Sequence, residues 1–234
     1  MKETEVNWKE QDHWGLREFV FMMALEFGFV IGFIKFVVKP LYSEWFGNEL
    51  YAGTLMGLTI AIVLLVGIYL IVLRPKKLSF REVGVKPFLL KDWKTIILLT
   101  VILMVGSVIL VVLTSLLGNT IENSKTEAIQ QNVTFLTVSI AFISAAVISP
   151  IYEEIFYRGF VYRWLRTRIG FVGAILLSSL IFTIIHIPTY NAMPVNFLSG
   201  IIFALAYERT NSIWPSVIIH GVTNGIMVLL TSMG

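Results

Sequence analysis

Long apolar runs decide what this chain can fold into. A helix needs about 20 apolar residues to cross the hydrocarbon core of a bilayer, and seven segments of the sequence qualify or nearly qualify. They are residues 18–38, 51–73, 95–117, 134–164, 171–187, 195–207 and 213–230. Charged residues make up only 14% of the chain, against about 25% in a soluble domain. The sequence therefore predicts an all-α, polytopic transmembrane bundle of about seven to eight helices.

The short loops predict how this bundle sits in a cell membrane. Cytoplasmic loops carry an excess of Lys and Arg, and fourteen such residues fall on one side of the predicted bundle, against two, Lys39 and Lys125, on the other. This split predicts a cytoplasmic N-terminus, an outside C-terminus and seven crossings. The net charge of +3 lies in these loops, so it does not indicate a nucleic-acid partner.

The distribution of apolar and charged residues divides the chain into three parts. Residues 1–17 mix acids and bases and are predicted to form a cytoplasmic N-terminal segment rather than a signal peptide. Residues 18–133 hold the first transmembrane helices and a basic cytoplasmic loop at 74–94. Residues 134–232 hold most of the polar residues that interrupt apolar segments. Ionisable groups in hydrocarbon are costly and usually serve a site, so this last part is where we expect function.

The first polar motif is Glu153, Glu154 and Arg158. Glu154 and Arg158 are four residues apart, so they share a helical face and can pair. Two adjacent carboxylates disfavour joint ionisation, and Arg158 can hold one as an anion while the other is left for general base work. Taken alone, the motif fits a structural ion pair between helices equally well.

Two further motifs place histidines inside apolar segments. Phe182 and His186 share one helical face, and so do His220 and Asn224. The imidazole of His220 and the amide of Asn224 could point at a developing oxyanion, or could equally bond neighbouring helices. Helix rise places His186 about 8 to 12 Å farther outward than the two glutamates and His220. A later start of its helix or a break near Pro150 would close this gap.

Other features have plainer interpretations. Glu26 is a single charge in the first helix and is interpreted as a packing or interfacial residue. Three glycine pairs have the spacing that lets helices approach closely; they are Gly28 and Gly32, Gly53 and Gly57, and Gly221 and Gly225. Packing within one chain is the favoured interpretation of these pairs, and the oligomeric state is left open.

Taken together, the three motifs resemble a known family. EExxxR, FxxxH and HxxxN, in this order on late transmembrane helices, are similar to the CAAX protease and bacteriocin-processing (CPBP or Abi) family of intramembrane proteases. The resemblance covers about residues 134–230, and residues 134–232 are accordingly predicted to be the catalytic core. The LSFREVGV stretch of the basic loop also resembles a loop of bacterial members. The first two helices carry no motif of this family.

The resemblance implies a role for each motif residue. Glu153 and His186 would activate a water that attacks a peptide carbonyl, and His220 and Asn224 would stabilise the oxyanion. Glu154 and Arg158 would be the supporting pair, and Phe182 would contact substrate. The family was first classed with metalloproteases, and Glu153, His186 and His220 could hold zinc with an open fourth position. HExxH is absent, and the favoured model of the family needs no metal.

The predicted function is therefore an intramembrane endopeptidase of the glutamate type. Its partners would be a membrane-associated or hydrophobic peptide or protein substrate, prenylated CAAX tails being one substrate class of the family, and the surrounding lipid. Two alternatives stay open. One is a non-catalytic membrane protein with a regulatory or immunity role, and the other is a proton-coupled transporter that uses Glu and His as a relay.

Overall fold

The computed structural model describes Trp8 and residues 12–118, 120 and 122–233, so most of the predicted N-terminal segment 1–17 lies outside the described residues. The described residues are mainly helical and contain no β-strand. Five helical stretches are long and apolar enough to cross a membrane: Leu16–Phe46, Glu49–Lys76, Leu90–Leu116, Phe135–Ile184 and Ile213–Met233. The prediction of an all-α, polytopic bundle is confirmed.

These stretches, one of them divided at a kink, and two shorter helices give eight helices within the described residues. In chain order they are α1 (Leu16–Phe46), α2 (Glu49–Lys76), α3 (Leu90–Leu116), α4 (Ser124–Gln130), α5 (135–169), α6 (171–184), α7 (Met193–Thr210) and α8 (Ile213–Met233). Many apolar side chains of α3, including Ile97, Val101 and Val105, are exposed, as expected where lipid is the solvent.

A turn at Gly170 separates α5 from α6. The backbone of Gly170 has φ 74° and ψ −175°, a conformation that glycine adopts without a Cβ clash. The chain reverses direction at this turn. The reversal is seen in the contact between Phe182 on α6 and Tyr157 on α5, whose ring centres lie 5.3 Å apart. Glu153 stands 17 residues before Gly170 and His186 stands 16 after it. The two residues therefore lie at similar depth, and the outward displacement estimated for His186 was wrong because α5 continues beyond residue 164.

Two prolines lie inside continuous helices rather than ending them. Pro40 follows the segment Ala24–Val38 and Pro150 follows Ile143–Ile148, and both segments have wide π-type turns. Wide turns change which backbone N–H and C=O groups are hydrogen-bonded to each other. A proline has no N–H to donate, and each of these prolines is accommodated at the start of the next helical piece. The expectation that the first helix stops at Pro40 is therefore wrong, and α1 extends to Phe46.

Helix α8 packs tightly on α5 through its two glycines. A Cβ at Gly221 would overlap the carbonyl oxygen of Ala146, and one at Gly225 would lie 2.8 Å from the ring of Phe142. This pair therefore packs within the chain, as expected. Gly28 and Gly53 have no neighbour within 4 Å of such a Cβ, so close packing does not extend to the other pairs.

Part of the basic loop is built into the fold. Val83 is fully buried, and its carbonyl would overlap a Cβ at Gly159 on α5. The carbonyl of Gly84 accepts a hydrogen bond from the backbone N–H of Ile213 at 3.0 Å, and the carbonyl of Lys86 accepts one from Ser212 Oγ at 2.6 Å. The loop therefore fastens α5 to the turn between α7 and α8.

Candidate active site

Glu154 is the most enclosed of the motif residues, and three helices meet at it. Its carboxylate on α5 accepts a hydrogen bond from Arg158 Nη1 at 3.0 Å, one turn later on the same helix. The same oxygen, Oε1, lies 2.9 Å from Nδ1 of His220 on α8. Arg158 Nη2 also donates to the carbonyl of Gly200 on α7 at 3.3 Å. Glu154 and Arg158 are 0% and 1% exposed, and their pairing offsets the cost of burying two charges.

Aromatic rings surround the buried guanidinium. Arg158 lies 4.4 Å from the ring centre of Phe182 and 5.0 Å from that of Phe203. The imidazole of His220 stacks on Phe203 with the ring centres 4.5 Å apart and an interplanar angle of 18°. Rings attract a cation through their negative faces, so these contacts stabilise Arg158 where water is excluded. Phe182 therefore packs against Arg158 of the supporting pair and against the ring of His220.

The hydrogen bonds of His220 decide which nitrogen can react. Glu154, held as an anion by Arg158, accepts at Nδ1, so Nδ1 carries the proton of the neutral ring. Nε2 then has a free lone pair, and it lies 3.9 Å from Glu153 Oε2. A carboxylate that fixes one imidazole nitrogen and leaves the other to act is a recurrent catalytic arrangement. His220 can therefore exchange a proton on the side of Glu153.

His186 is held in the same tautomer as His220, but by a backbone carbonyl. It follows the last residue of α6, and its Nδ1 lies 2.7 Å from the carbonyl oxygen of Phe182. A carbonyl only accepts, so Nδ1 carries the proton and Nε2 is a free acceptor. The rings of Phe182 and His186 also pack edge to face with centres 4.9 Å apart. His186 therefore presents a basic nitrogen from a fixed ring.

Glu153 and His186 line one cavity of about 510 Å³. Its wall comes from α1, α2, α4, α5, α8 and the segment after α6, and it is largely apolar, with Val30, Ile60 and Leu64 among its residues. This volume is in the range of ligand sites. Both predicted water-activating residues therefore border the same space.

The structure does not bring Asn224 into this cavity. Asn224 Nδ2 donates to the carbonyl oxygen of Ala145 at 3.0 Å, and Ala145 belongs to the cavity wall while Asn224 does not. His220 is not among the residues of the wall either, so the oxyanion role of His220 and Asn224 stays a prediction. The amide of Asn224 joins α8 to α5 instead, because the two glycines of α8 bring these helices close together.

The zinc alternative was tested on the donor geometry. Within the part of the chain that the structure describes, no three His, Cys, Asp or Glu side chains are grouped as a metal site requires. Glu153, His186 and His220 are therefore not grouped as a ligand set in this structure, and the metal-free mechanism stays a prediction. We derive no catalytic step through a metal.

Three charged residues of α1 line the cavity, namely Glu26, Lys35 and Lys39, and sequence reasoning missed their place there. Glu26 is 2% exposed, and its Oε1 accepts a hydrogen bond from the Tyr157 hydroxyl at 2.7 Å. Lys35 Nζ donates to the carbonyls of Ile185 and Ile187, on both sides of His186. The available signal was the rule that an intramembrane charge usually serves a site. Interpreting Glu26 as a packing or interfacial residue set this rule aside.

The region that matches a known protein family contains the three polar motifs. Residues 135–226 match the family model described as type II CAAX prenyl endopeptidase Rce1-like. The chain is 28% identical over 204 residues to the membrane-embedded CAAX protease MroQ of Staphylococcus aureus (strain USA300). The aligned region covers 82% of this chain and 81% of that protein. No solved structure matches the chain significantly.

Two shorter similarities involve about half of the chain. One is to the protein named "Putative membrane peptidase YdiL" of Bacillus subtilis (strain 168), 30% identical over 109 residues, or 47% of this chain and 43% of that protein. The other is to the UPF0177 protein YbdI of Lactococcus lactis subsp. lactis (strain IL1403), 30% identical over 115 residues, or 49% and 60%. The chain thus spans less than two thirds of these two relatives. Helices α1 and α2, which form part of the cavity wall, lie outside the matched family region.

Proposed function

We propose a catalytic role for this chain, which belongs to the CAAX protease and bacteriocin-processing family of membrane proteases: it is an intramembrane endopeptidase of the glutamate type. It hydrolyses a peptide bond of a membrane-associated or hydrophobic peptide with water activated by Glu153 and His186. The observation that carries the proposal is the shared cavity wall, where these two residues meet a space large enough for a peptide segment.

Glu153 is the general base in this proposal. Its neighbour Glu154 is engaged by Arg158 and His220, whereas Glu153 faces the cavity. Glu153 takes one proton from the water while the water oxygen attacks the peptide carbonyl carbon. His186 Nε2 accepts a hydrogen bond from the second O–H of the water, and that hydrogen stays on the attacking oxygen. The proton on Glu153 then passes to the leaving amine as the C–N bond breaks.

The oxyanion would be stabilised beside Glu153. Nε2 of His220 lies 3.9 Å from Glu153 Oε2. Because Glu154 engages Nδ1, Nε2 donates only when the ring is protonated. Asn224 contributes less in this proposal, because its amide already donates to Ala145. We assign no metal to the reaction. Residues 134–232 would form the catalytic core, with α1 and α2 completing the cavity.

Substrate and orientation are parts of the same proposal. The largely apolar wall fits hydrophobic or lipid-modified peptides, and the family model concerns prenylated CAAX tails. We propose that the chain is a multi-pass protein of the cell membrane with its N-terminus in the cytoplasm, as the distribution of Lys and Arg indicates.

The test is cleavage of a hydrophobic peptide library by purified protein in lipid vesicles. We expect the wild type to cleave, and Glu153→Gln to lower the rate at least about a hundredfold through loss of the general base. Glu44→Gln is the matched control, because Glu44 is an exposed carboxylate of α1 outside the cavity. Equal rates in wild type and Glu153→Gln would refute the role of Glu153.

Two additional arms address the alternatives. Cleavage that persists with chelator supports the metal-free mechanism, whereas cleavage that chelator abolishes and zinc restores would overturn it. Full biological function of Glu153→Gln in the host would favour the non-catalytic membrane protein, and substrate-dependent proton flux in vesicles would favour the transporter.

A further inference from the structure

Glu26 has one carboxylate oxygen that no group in the described structure engages. Oε1 accepts the hydroxyl of Tyr157 at 2.7 Å, while Oε2 is buried and has no hydrogen-bond partner. The residue is 2% exposed and lines the cavity that also holds Glu153 and His186. A buried polar atom without a partner is costly, and such atoms in native proteins call for a specific explanation.

The cations of the cavity do not supply the missing partner. Lys35, nine residues later on α1, donates to the carbonyls of Ile185 and Ile187. Lys39 pairs with Glu49 at 3.1 Å. Lys125 on α4, the third lysine of the wall, interacts electrostatically with Glu153. None of the three lysines donates a hydrogen bond to Glu26 Oε2, and a structural contact between α1 and α5 needs only the oxygen that Tyr157 already uses. The second oxygen is left for a group that enters the cavity.

A bound peptide brings such groups. A backbone N–H of the peptide that leaves bulk water needs an acceptor, and a carboxylate is a stronger acceptor than the neutral hydroxyl groups of the wall. The carboxylates among the described residues of the wall are Glu26, Glu49 and Glu153. Glu49 is paired with Lys39, and Glu153 is assigned to water, so Glu26 is the carboxylate with capacity for substrate.

We propose that Glu26 is a substrate-binding residue whose Oε2 accepts a hydrogen bond from a donor of the bound peptide. The inference rests on the proposed protease function and extends it to a helix outside the matched family region. The donor is an N–H group, which a peptide offers either in its backbone or in a Lys or Arg side chain. Tyr157 holds the other oxygen and so fixes the direction of the carboxylate.

The test separates binding from catalysis. Affinity for a fluorescent hydrophobic peptide is measured on Glu153→Gln protein, which binds without cleaving, with and without Glu26→Gln. We expect Glu26→Gln to weaken binding roughly tenfold to a hundredfold, the loss for a charged hydrogen bond, and Glu44→Gln to leave it unchanged. In protein with intact Glu153, the same substitution should raise KM with little effect on kcat.

Peptide variants identify the donor. If the donor is a backbone amide, methylating that nitrogen removes the effect of Glu26→Gln at one position of the peptide. If it is a basic side chain, replacing Lys by norleucine removes the effect. Unchanged affinity in Glu26→Gln protein would overturn the inference, and so would an effect that neither modification changes.

A second substitution tests whether Glu26 has a purely structural role. Tyr157→Phe removes the hydroxyl that Glu26 accepts but keeps the carboxylate. If Glu26 served only as a contact between helices, the two substitutions would lower peptide affinity and thermal stability equally, and this result would refute the inference. We expect Tyr157→Phe to retain most of the affinity. Failure of the wild type to cleave any peptide would refute the proposed protease but not the affinity difference.

Discussion

Adjacent glutamates in this chain have different surroundings, and the difference follows from helical geometry. Glu154 shares a face with Arg158 and meets His220, while Glu153, about 100° around the helix, reaches the cavity. The local part of this arrangement could be predicted, because residues four apart on a helix are neighbours. The contact between Glu26 and Tyr157 could not be predicted, because 131 residues separate the two.

Arg158 should be needed for stability as well as for activity. Arg158→Met removes the cation but keeps an apolar side chain, so Glu154 keeps only His220 as a partner in the protein interior. Breaking a buried pair costs about 3–5 kcal/mol, and we expect the free energy of unfolding in detergent to fall by about this amount. The measurement is reversible unfolding followed by circular dichroism.

The double variant distinguishes a pair from two separate residues. Arg158→Met combined with Glu154→Gln leaves no uncompensated charge, so it should cost less than the sum of the single substitutions. Glu44→Gln serves as the exposed control, with a change within about 0.5 kcal/mol. Strict additivity would contradict the coupling inferred from the 3.0 Å contact.

At the level of helices, the length of an apolar run predicted the helices better than the prolines and glycines that often end a helix. Pro40 lies within α1 because the wide turns before it accommodate a proline. Gly170 reverses the chain between α5 and α6, and a predicted end at residue 164 put His186 at the wrong depth. Tertiary packing decides both points, and a single sequence does not reveal it. The order of the helices and the three motifs were predicted without it.

Lys35 links α1 to the end of α6, and this link predicts a kinetic effect. Its ammonium donates to the carbonyls that flank His186, so Lys35→Met should let the His186 backbone move. A small misplacement of a catalytic group can cost up to about a hundredfold. We expect kcat per folded protein to fall at least about tenfold while KM changes little.

Two variants control this effect of position. Lys35→Arg keeps a cation that can reach the carbonyls and should recover most of kcat. Lys94→Met removes an exposed lysine of α3, which lies outside the cavity, and should leave kcat unchanged. A loss of folded protein with normal kcat in the remaining fraction would contradict a positioning role.

At the scale of the whole molecule, the predicted orientation can be tested directly because the chain has no cysteine. Ser79→Cys lies in the basic loop and Ser124→Cys begins α4, and both positions are exposed. With the N-terminus in the cytoplasm, a membrane-impermeant maleimide should label Ser124→Cys in intact cells and Ser79→Cys only after permeabilisation. The opposite pattern would reverse the orientation.

The contribution of α1 to the cavity bears on how such proteins differ from one another. Glu26 and Lys35 stand outside residues 135–226, the stretch that matches the family model. Two chains could share that stretch and still offer incoming peptides different charges at the opposite wall. An inhibitor selective for one of them would then be best designed against its first helix.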